Sequence, residues 1–361
     1  MNSKVTPEVA SRDWIADKQD LILVTGAAGF IGARVVEQLL DRGFTKLRCF
    51  VRTPASAVML RRRLSTNDRA ADVEVFQGNL LSRSDCARAT LGVRIVFHLA
   101  AGRGEKSYPD AFMNSVVTTR NLLEALIANG FLRRFVNISS FSVYSNRNTP
   151  HRVLDESCTV ESRPELRGDA YTFAKVSQDS LMTEYAQKHA LPCVIVRPGH
   201  VYGPGNPGIS GRIGIDTFGR FLHLGGPNTV PLTYVDNCAE AIVLAGLQPA
   251  VDGEVFNVVD DDLPSSRQFL HQYKEHVAPF ASLYLPHILT YLFCWSWERF
   301  STWSHGELPP VFNRRRWHAF WKKTSYSNKR LKERLGWMPR VSTREGLRRY
   351  FEACRAGGLD A

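Results

Sequence analysis

Residues 23–36 read LVTGAAGFIGARVV, in which an apolar strand pattern runs into Gly26, Gly29 and Gly32 and then into an amphipathic helical run. Glycines keep Cβ atoms out of the turn, so backbone N–H groups can approach a phosphate. The following helix presents its positive N-terminal end to the same anion. The bland alternative is a tight strand-to-helix turn. With a strand before and a helix after, the spacing favours a cradle for the pyrophosphate of a dinucleotide, built from Gly26, Ala28, Gly29, Phe30, Ile31 and Gly32.

Short β-branched runs alternate with helical patterns from residue 21 to about 200. LILVT, LRCFV, VEVFQG, RIVFHLA, RRFVNIS and PCVIVRP are near-continuously apolar, as strands covered on both faces are. Helical stretches at 30–42, 84–91, 112–129 and 170–189 separate them. The alternation predicts an α/β fold with a doubly wound parallel sheet of Rossmann type. After Pro198 come Gly- and Pro-rich loops, short helices and one more strand, EVFNVV, which predict a smaller, irregular C-terminal substrate-binding portion. The expected organisation is an N-terminal extension over 1–19, a dinucleotide-binding domain over 20–200 and a mainly substrate-binding portion over 201–361.

A second constellation carries chemistry. YTFAK sets Tyr171 and Lys175 four residues apart in a helical stretch, hence on one face. An ammonium beside a phenol stabilises phenolate and draws the tyrosine down from about 10, so that it can exchange a proton with a hydroxyl or carbonyl. YxxxK alone occurs by accident in any helix. NISSFSVYS, about 30 residues earlier at a strand end, adds a hydroxyl residue to the pair.

Together with TGAAGFIG these segments resemble the short-chain dehydrogenase/reductase family, and its extended branch in particular. The GxxGxxG spacing, VFHLAA (96–101), NSVVTTRNLLEA (114–125), RPGHVYGPG (197–205), LTYVDNCAEAIVLA (232–245) and SNKRLKERLGWMPRVSTREGL (327–347) extend the resemblance over roughly residues 20 to 350. It implies that Tyr171 is the general acid/base and that Lys175 lowers its pKa and touches the nicotinamide ribose. Ser140 would orient the substrate oxygen, with Ser139 the neighbour that could be confused with it. Cofactor contacts are implied at the glycine turn, at Arg52, Asn79 and Leu80, at Leu99, Ala100 and Ala101, at Tyr171 and Lys175, and at Pro198 and Val201. Asn114 is either a residue supporting the helix around the lysine or an ordinary N-cap, and is left out of the catalytic set.

The second strand ends Val51-Arg52 with no carboxylate to accept ribose hydroxyls, which tilts cofactor choice from NAD toward NADP. Phe141 and Ser142 stand where dehydratases of the branch carry an Asp-Glu pair, so dehydration is disfavoured. Val230 and Pro231 replace the diphosphate-holding arginine of many nucleotide-sugar members, although Arg212 or Arg220 could substitute. The leading expectation is an NAD(P)-dependent oxidoreductase acting on a secondary alcohol or ketone, as a sugar-nucleotide epimerase or ketoreductase. The alternative is a 3β-hydroxysteroid dehydrogenase-like enzyme. A non-catalytic cofactor sensor conflicts with the presence of Ser140, Tyr171 and Lys175.

The formal net charge of +11 attracts anionic partners such as phosphorylated metabolites, and no nucleic-acid recognition motif accompanies it. Residues 282–323 pair an apolar aromatic run with NRRRWHAFWKK, which fits either a peripheral membrane contact or helices covering the pocket. Seven scattered cysteines and ten histidines form no ligand-spaced group, so no metal site is expected, and the cysteines suit a reducing cytoplasm. A homodimer through the helices at 112–129 and 170–189 is expected by analogy.

Overall fold

Alternate side chains of one short strand already divide the protein into two layers. In β1 (Leu21–Thr25), Ile22 and Val24 join one apolar core while Leu23 joins the other. Such a strand must lie inside a sheet covered on both faces. The computed structural model describes residues 13–102, 107–149, 152–217, 219–304, 307–308 and 310–357.

The strands β1, β2 (Leu47–Val51), β3 (Glu74–Gln77), β4 (Val93–His98), β5 (Arg134–Ile138), β6 (Cys193–Pro198) and β7 (Val255–Val258) form one sheet in the order β3-β2-β1-β4-β5-β6-β7. Every neighbouring pair is parallel. The order reverses between β1 and β4, which opens a crevice at their C-terminal ends where ligands of doubly wound sheets bind. The expected doubly wound α/β class is thus observed.

Helix α1 (Phe30–Asp41) and α2 (Pro54–Leu64) cover one face, with α6 (Val235–Leu247) beside them. The other face carries α3 (Arg83–Thr90), α4 (Thr118–Asn129) and α5 (Ala170–His189). Almost all of α6 is buried, and a Cβ on Gly246 would lie 2.3 Å from the ring of Phe97, so glycine there lets the helix sit directly on β4. Residues 1–12 of the expected N-terminal extension lie outside the described residues. Ile15 donates its backbone N–H to the carbonyl of Leu247 and ties the end of the extension to α6.

Helix α6 and strand β7 complete the central layers from beyond residue 200, so the C-terminal portion is interleaved with the sheet. The rest builds a separate core in which Tyr202, Tyr234, Phe269, Tyr273, Tyr350 and Phe351 pack together. Strands Gly214–Thr217, Arg220–His223 and Ser282–Tyr284 form a small sheet beside it. The chain then runs into α7 (His287–Trp303), against which α8 (Arg314–Phe320) packs through Tyr291 with Trp317, while Phe312, just before α8, meets Phe293.

Candidate active site

The glycine turn sits at the crevice, and its residues have separable duties. Gly26 has φ +68°, and a Cβ there would meet the Ala100 nitrogen at 2.9 Å. A side chain is therefore excluded by conformation and by the close approach of Leu99 and Ala100, just past β4. On Gly32 a Cβ would come within 2.1 Å of the Gly26 carbonyl oxygen, so this residue seats α1 on its own turn. Gly29 caps α1 without a side-chain hydrogen bond, and no acidic residue occupies the first turn. The N–H groups and the positive end of α1 are left for an external anion.

The turn opens into a cavity of about 460 Å³. Gly26, Ala28, Gly29, Phe30, Ile31 and Gly32 line one side, with Arg52, Asn79, Leu80, Leu99, Ala100 and Ala101 around them. Those expected contacts are brought together; Pro198, at the end of β6, Val201, in the strand His200–Tyr202, and Tyr171 and Lys175 of α5 do not line it. Phe50, Val51, Thr53, Ser56, Asn114, Thr118 and Ile138 complete the wall; of these the sequence singles out only Val51 and Asn114, neither as a cofactor contact. Thr53 caps α2 by accepting from the Ser56 N–H, and the first turn of α2 holds no carboxylate. Thr53-Pro54 is a cap signal that would have pointed to this corner. Asn114 is no N-cap: it lies within a π-helical turn, Met113–Val117, where its side chain donates to the Asp110 carbonyl. Such turns recur at functional positions.

Ser139 and Ser140 are distinguished by their surroundings. Ser139 is buried and gives its hydroxyl to Asp179 at 2.9 Å, which is a structural duty. Ser140 is half-buried, and its Oγ accepts from the Ser142 N–H at 3.2 Å at the start of a short 3-10 turn. Tyr171 is half-buried in the first turn of α5, with Asp169 as the cap. Lys175 follows one turn later and is buried. Its ammonium donates to the Ile138 carbonyl at 2.6 Å and to Gln178 Oε1 at 2.9 Å, which anchors it beneath a residue of the cavity wall. Burial pushes the Lys175 ammonium down to about 8, against the pull of Asp179. Asp179 in turn is raised by burial and opposed by Arg197, which bonds it at 3.1 Å.

Behind Lys175 runs a continuous polar chain. Gln178 Nε2 donates to Thr119 Oγ1 at 2.8 Å, and Thr119 passes its own proton to the Ser115 carbonyl at 2.6 Å. His98 Nε2 lies 2.8 Å from Thr119 Oγ1 and must therefore carry the proton. His98 Nδ1 then accepts from Thr25 Oγ1 at 2.8 Å, and that oxygen accepts from the Ala100 N–H at 3.2 Å. Every polar atom of the chain is satisfied only by this tautomer. Burial pushes His98 down to about 3, with the Lys175 charge acting in the same direction, so it is a neutral connector. The chain ties Lys175 to the backbone of the cavity wall at Ala100.

An anion cradle at the end of β1, a crevice at the reversal of strand order and a Tyr-Lys pair behind it define a Rossmann-type dinucleotide-binding protein of the short-chain reductase architecture. The chain belongs to the NAD dependent epimerase/dehydratase family, whose model matches residues 22–258. GDP-mannose 3,5-epimerase of Arabidopsis thaliana is 26% identical over 349 residues, covering 91% of this chain and 81% of the relative. The 3beta-hydroxysteroid-dehydrogenase/decarboxylase isoform 1 of the same plant is 24% identical, over 94% of this chain and 80% of that protein. The solved UDP-glucuronic acid 4-epimerase of Bacillus cereus, in complex with UDP-glucuronic acid and NAD, superposes with a TM-score of 0.68 at 22% identity, covering 93% of this chain and 99% of its own. Among the described residues no group of His, Cys, Asp and Glu is placed to hold a metal ion.

Proposed function

We propose that the protein transfers hydride between NAD(P) and a secondary alcohol or ketone of a sugar nucleotide, as an epimerase or ketoreductase. The observation that carries this reading is the Lys175 ammonium held on the carbonyl of Ile138, a wall residue of a cavity whose anion cradle has no acidic side chain. Ser140 follows Ile138 by two residues, and Tyr171 precedes Lys175 by one helical turn. A nicotinamide held at the glycine turn would supply or accept the hydride. The Tyr171 hydroxyl gives or takes the proton of the substrate oxygen, and Ser140 Oγ orients that oxygen. Lys175 holds positive charge beside the phenol, and the Gln178 and Ile138 contacts fix where that charge sits. The test is Tyr171→Phe, expected to cut turnover by roughly 10²-fold or more while cofactor binding persists. Near-normal turnover would overturn the assignment.

NADP is the preferred cofactor in this reading. Arg52 lines the cavity with Thr53 and Ser56, and the N-terminus of α2 adds a positive end to the same corner. Arg52→Asp is expected to weaken NADP far more than NAD in fluorescence titration; equal losses would remove the phosphate-reading role. Seven free, buried cysteines support a reducing, cytoplasmic setting. A homodimer through α4 and α5 belongs to the same proposal and is tested by light scattering.

A second reading, oxidation of a hydroxysteroid, is supported by the lack of a cation at Val230 and Pro231, just before the strand Leu232–Tyr234, and by the steroid dehydrogenase relative. Turnover of UDP-glucuronic acid or GDP-mannose against a 3β-hydroxysteroid separates the two.

A further inference from the structure

Helix α7 is turned inside out. Its buried residues are Thr290, Cys294 and Ser301, while Ile288 is 71% exposed, Leu289 51%, Leu292 48% and Trp303 75%. Phe293, Trp295 and Phe300 are exposed with them, and so are Leu283 and Tyr284 in the strand that leads into the helix. Spacings of three, four and seven residues place these side chains on one broad face. Patches of this kind on a folded chain mark contact surfaces. At 17 residues the helix is short for a span, and among the described residues no helix is long and apolar enough to cross a membrane.

The charges around the face have one predominant sign. Arg299 stands on the face itself, its guanidinium 5.9 Å from the Trp295 ring. Arg267 lies 5.3 Å from the Tyr284 ring, and Lys274 donates to Ser282. Arg220 is exposed on the strand paired with Ser282–Tyr284. Glu298, the acidic residue of α7, is neutralised by Arg314 at 2.9 Å. Among the described residues near the face the exposed carboxylates are Asp216, Glu275 and Glu307, the last in the turn just after α7.

We propose that the exposed face of α7, with the strand Ser282–Tyr284, docks on an anionic lipid surface, the helix lying in the interface with its cations at the headgroup phosphates. Apolar side chains enter the acyl boundary, tryptophan suits the headgroup level, and Arg299 reaches back to phosphate along its own stem. A second copy of the chain fits less well, because a two-fold contact through this face sets Arg299 and its neighbouring cations against their own copies.

The experiment is flotation of the full chain with vesicles of phosphatidylcholine alone or mixed equally with phosphatidylglycerol. The protein is expected to float with the mixed vesicles, to do so weakly with phosphatidylcholine, and to be released by raised salt. The double variant Leu292→Gln/Trp303→Gln is expected to lower partitioning roughly tenfold or more with an unchanged melting curve. Arg299→Glu should weaken binding to the mixed vesicles and leave the weak phosphatidylcholine binding as it was. Equal flotation of wild type and double variant overturns the proposal. So does a wild-type dimer that ignores vesicles and becomes monomeric in the double variant, since a second copy then covers the face.

Discussion

The crevice at β1 and β4 and the helix pair α7–α8 treat side chains in opposite ways. Around the crevice, Phe97, Val96 and Val136 are wholly buried, and the polar groups taken inside with them are paired from Thr25 through His98 and Thr119 to Lys175. On α7 the large apolar side chains face outward. Beside it on α8, Trp317 Nε1, His318 Nδ1 and Arg316 Nε are buried with no protein partner. Unpaired buried donors and uncovered apolar area both cost free energy. The first region pairs most of its buried polar groups within the chain, Asn137 Oδ1 and Ser142 Oγ excepted, whereas the second also leaves its large apolar side chains uncovered.

The comparison breaks most readily at the core. Phe97→Ala removes a ring that touches α6 and is expected to cost about 3–5 kcal/mol in denaturant unfolding. A loss below about 1 kcal/mol would mean that the layer relaxes freely and is not close-packed.

A second, pH-dependent effect comes from Asp260, buried under the strand Leu232–Tyr234. Burial lifts its carboxyl to about 7, against hydrogen bonds from the Tyr234 N–H, Asn237 and Thr233. The unfolded value is about 3.9, so the contribution to stability is complete below that pH and is lost as pH rises through 7. The loss amounts to up to about 4 kcal/mol. The wild-type melting temperature should fall between about pH 5 and about pH 8, and the fall should be smaller in Asp260→Asn. Parallel curves would show that another group carries the dependence.

Much of the first region was legible. LILVT, RIVFHLA and PCVIVRP are too apolar for any place but a covered sheet, and all became central strands. The glycine turn and the Tyr171–Lys175 spacing carry their meaning locally. Thr53, Ser56, Thr118 and Ile138 do not, because tertiary packing alone brings α2, the helix at 113–129 and the end of β5 to one cavity. His98 and Gln178 were missed for the same reason. Their roles exist only across a contact between β4, α4 and α5. For α7 the failure was of another kind. Residues 282–323 read as a membrane contact or a pocket cover, and hydrophobicity could not tell which side of α7 faces out, since the helix buries its small residues and exposes its large ones.

Gln178→Leu sharpens the account of the polar chain. It removes the acceptor of Lys175 and the donor to Thr119 at once, at an expected cost of about 1–3 kcal/mol. A purely structural role predicts that loss and an unchanged pH–rate profile. A positioning role predicts in addition that the pH–rate profile shifts, because the Lys175 charge, which burial already lowers to about 8, loses the acceptor that holds it. Gln178→Glu, which keeps an acceptor toward Lys175, should restore part of the rate.

The smallest effect is expected on α7, although its exposed side chains are large and apolar. Leu292→Gln and Trp303→Gln each replace a large apolar side chain, yet neither removes a packed neighbour from the core, so each should leave unfolding free energy within about 0.5 kcal/mol of wild type. The same exchange inside the sheet would cost several times that. A loss on α7 as large as that of Phe97→Ala would mean that the face is packed within the protein, and the contrast between the two regions would disappear. A silent change in stability joined to a lost affinity for anionic vesicles keeps the contrast and states its cause: the apolar area of α7 contributes to binding and not to folding.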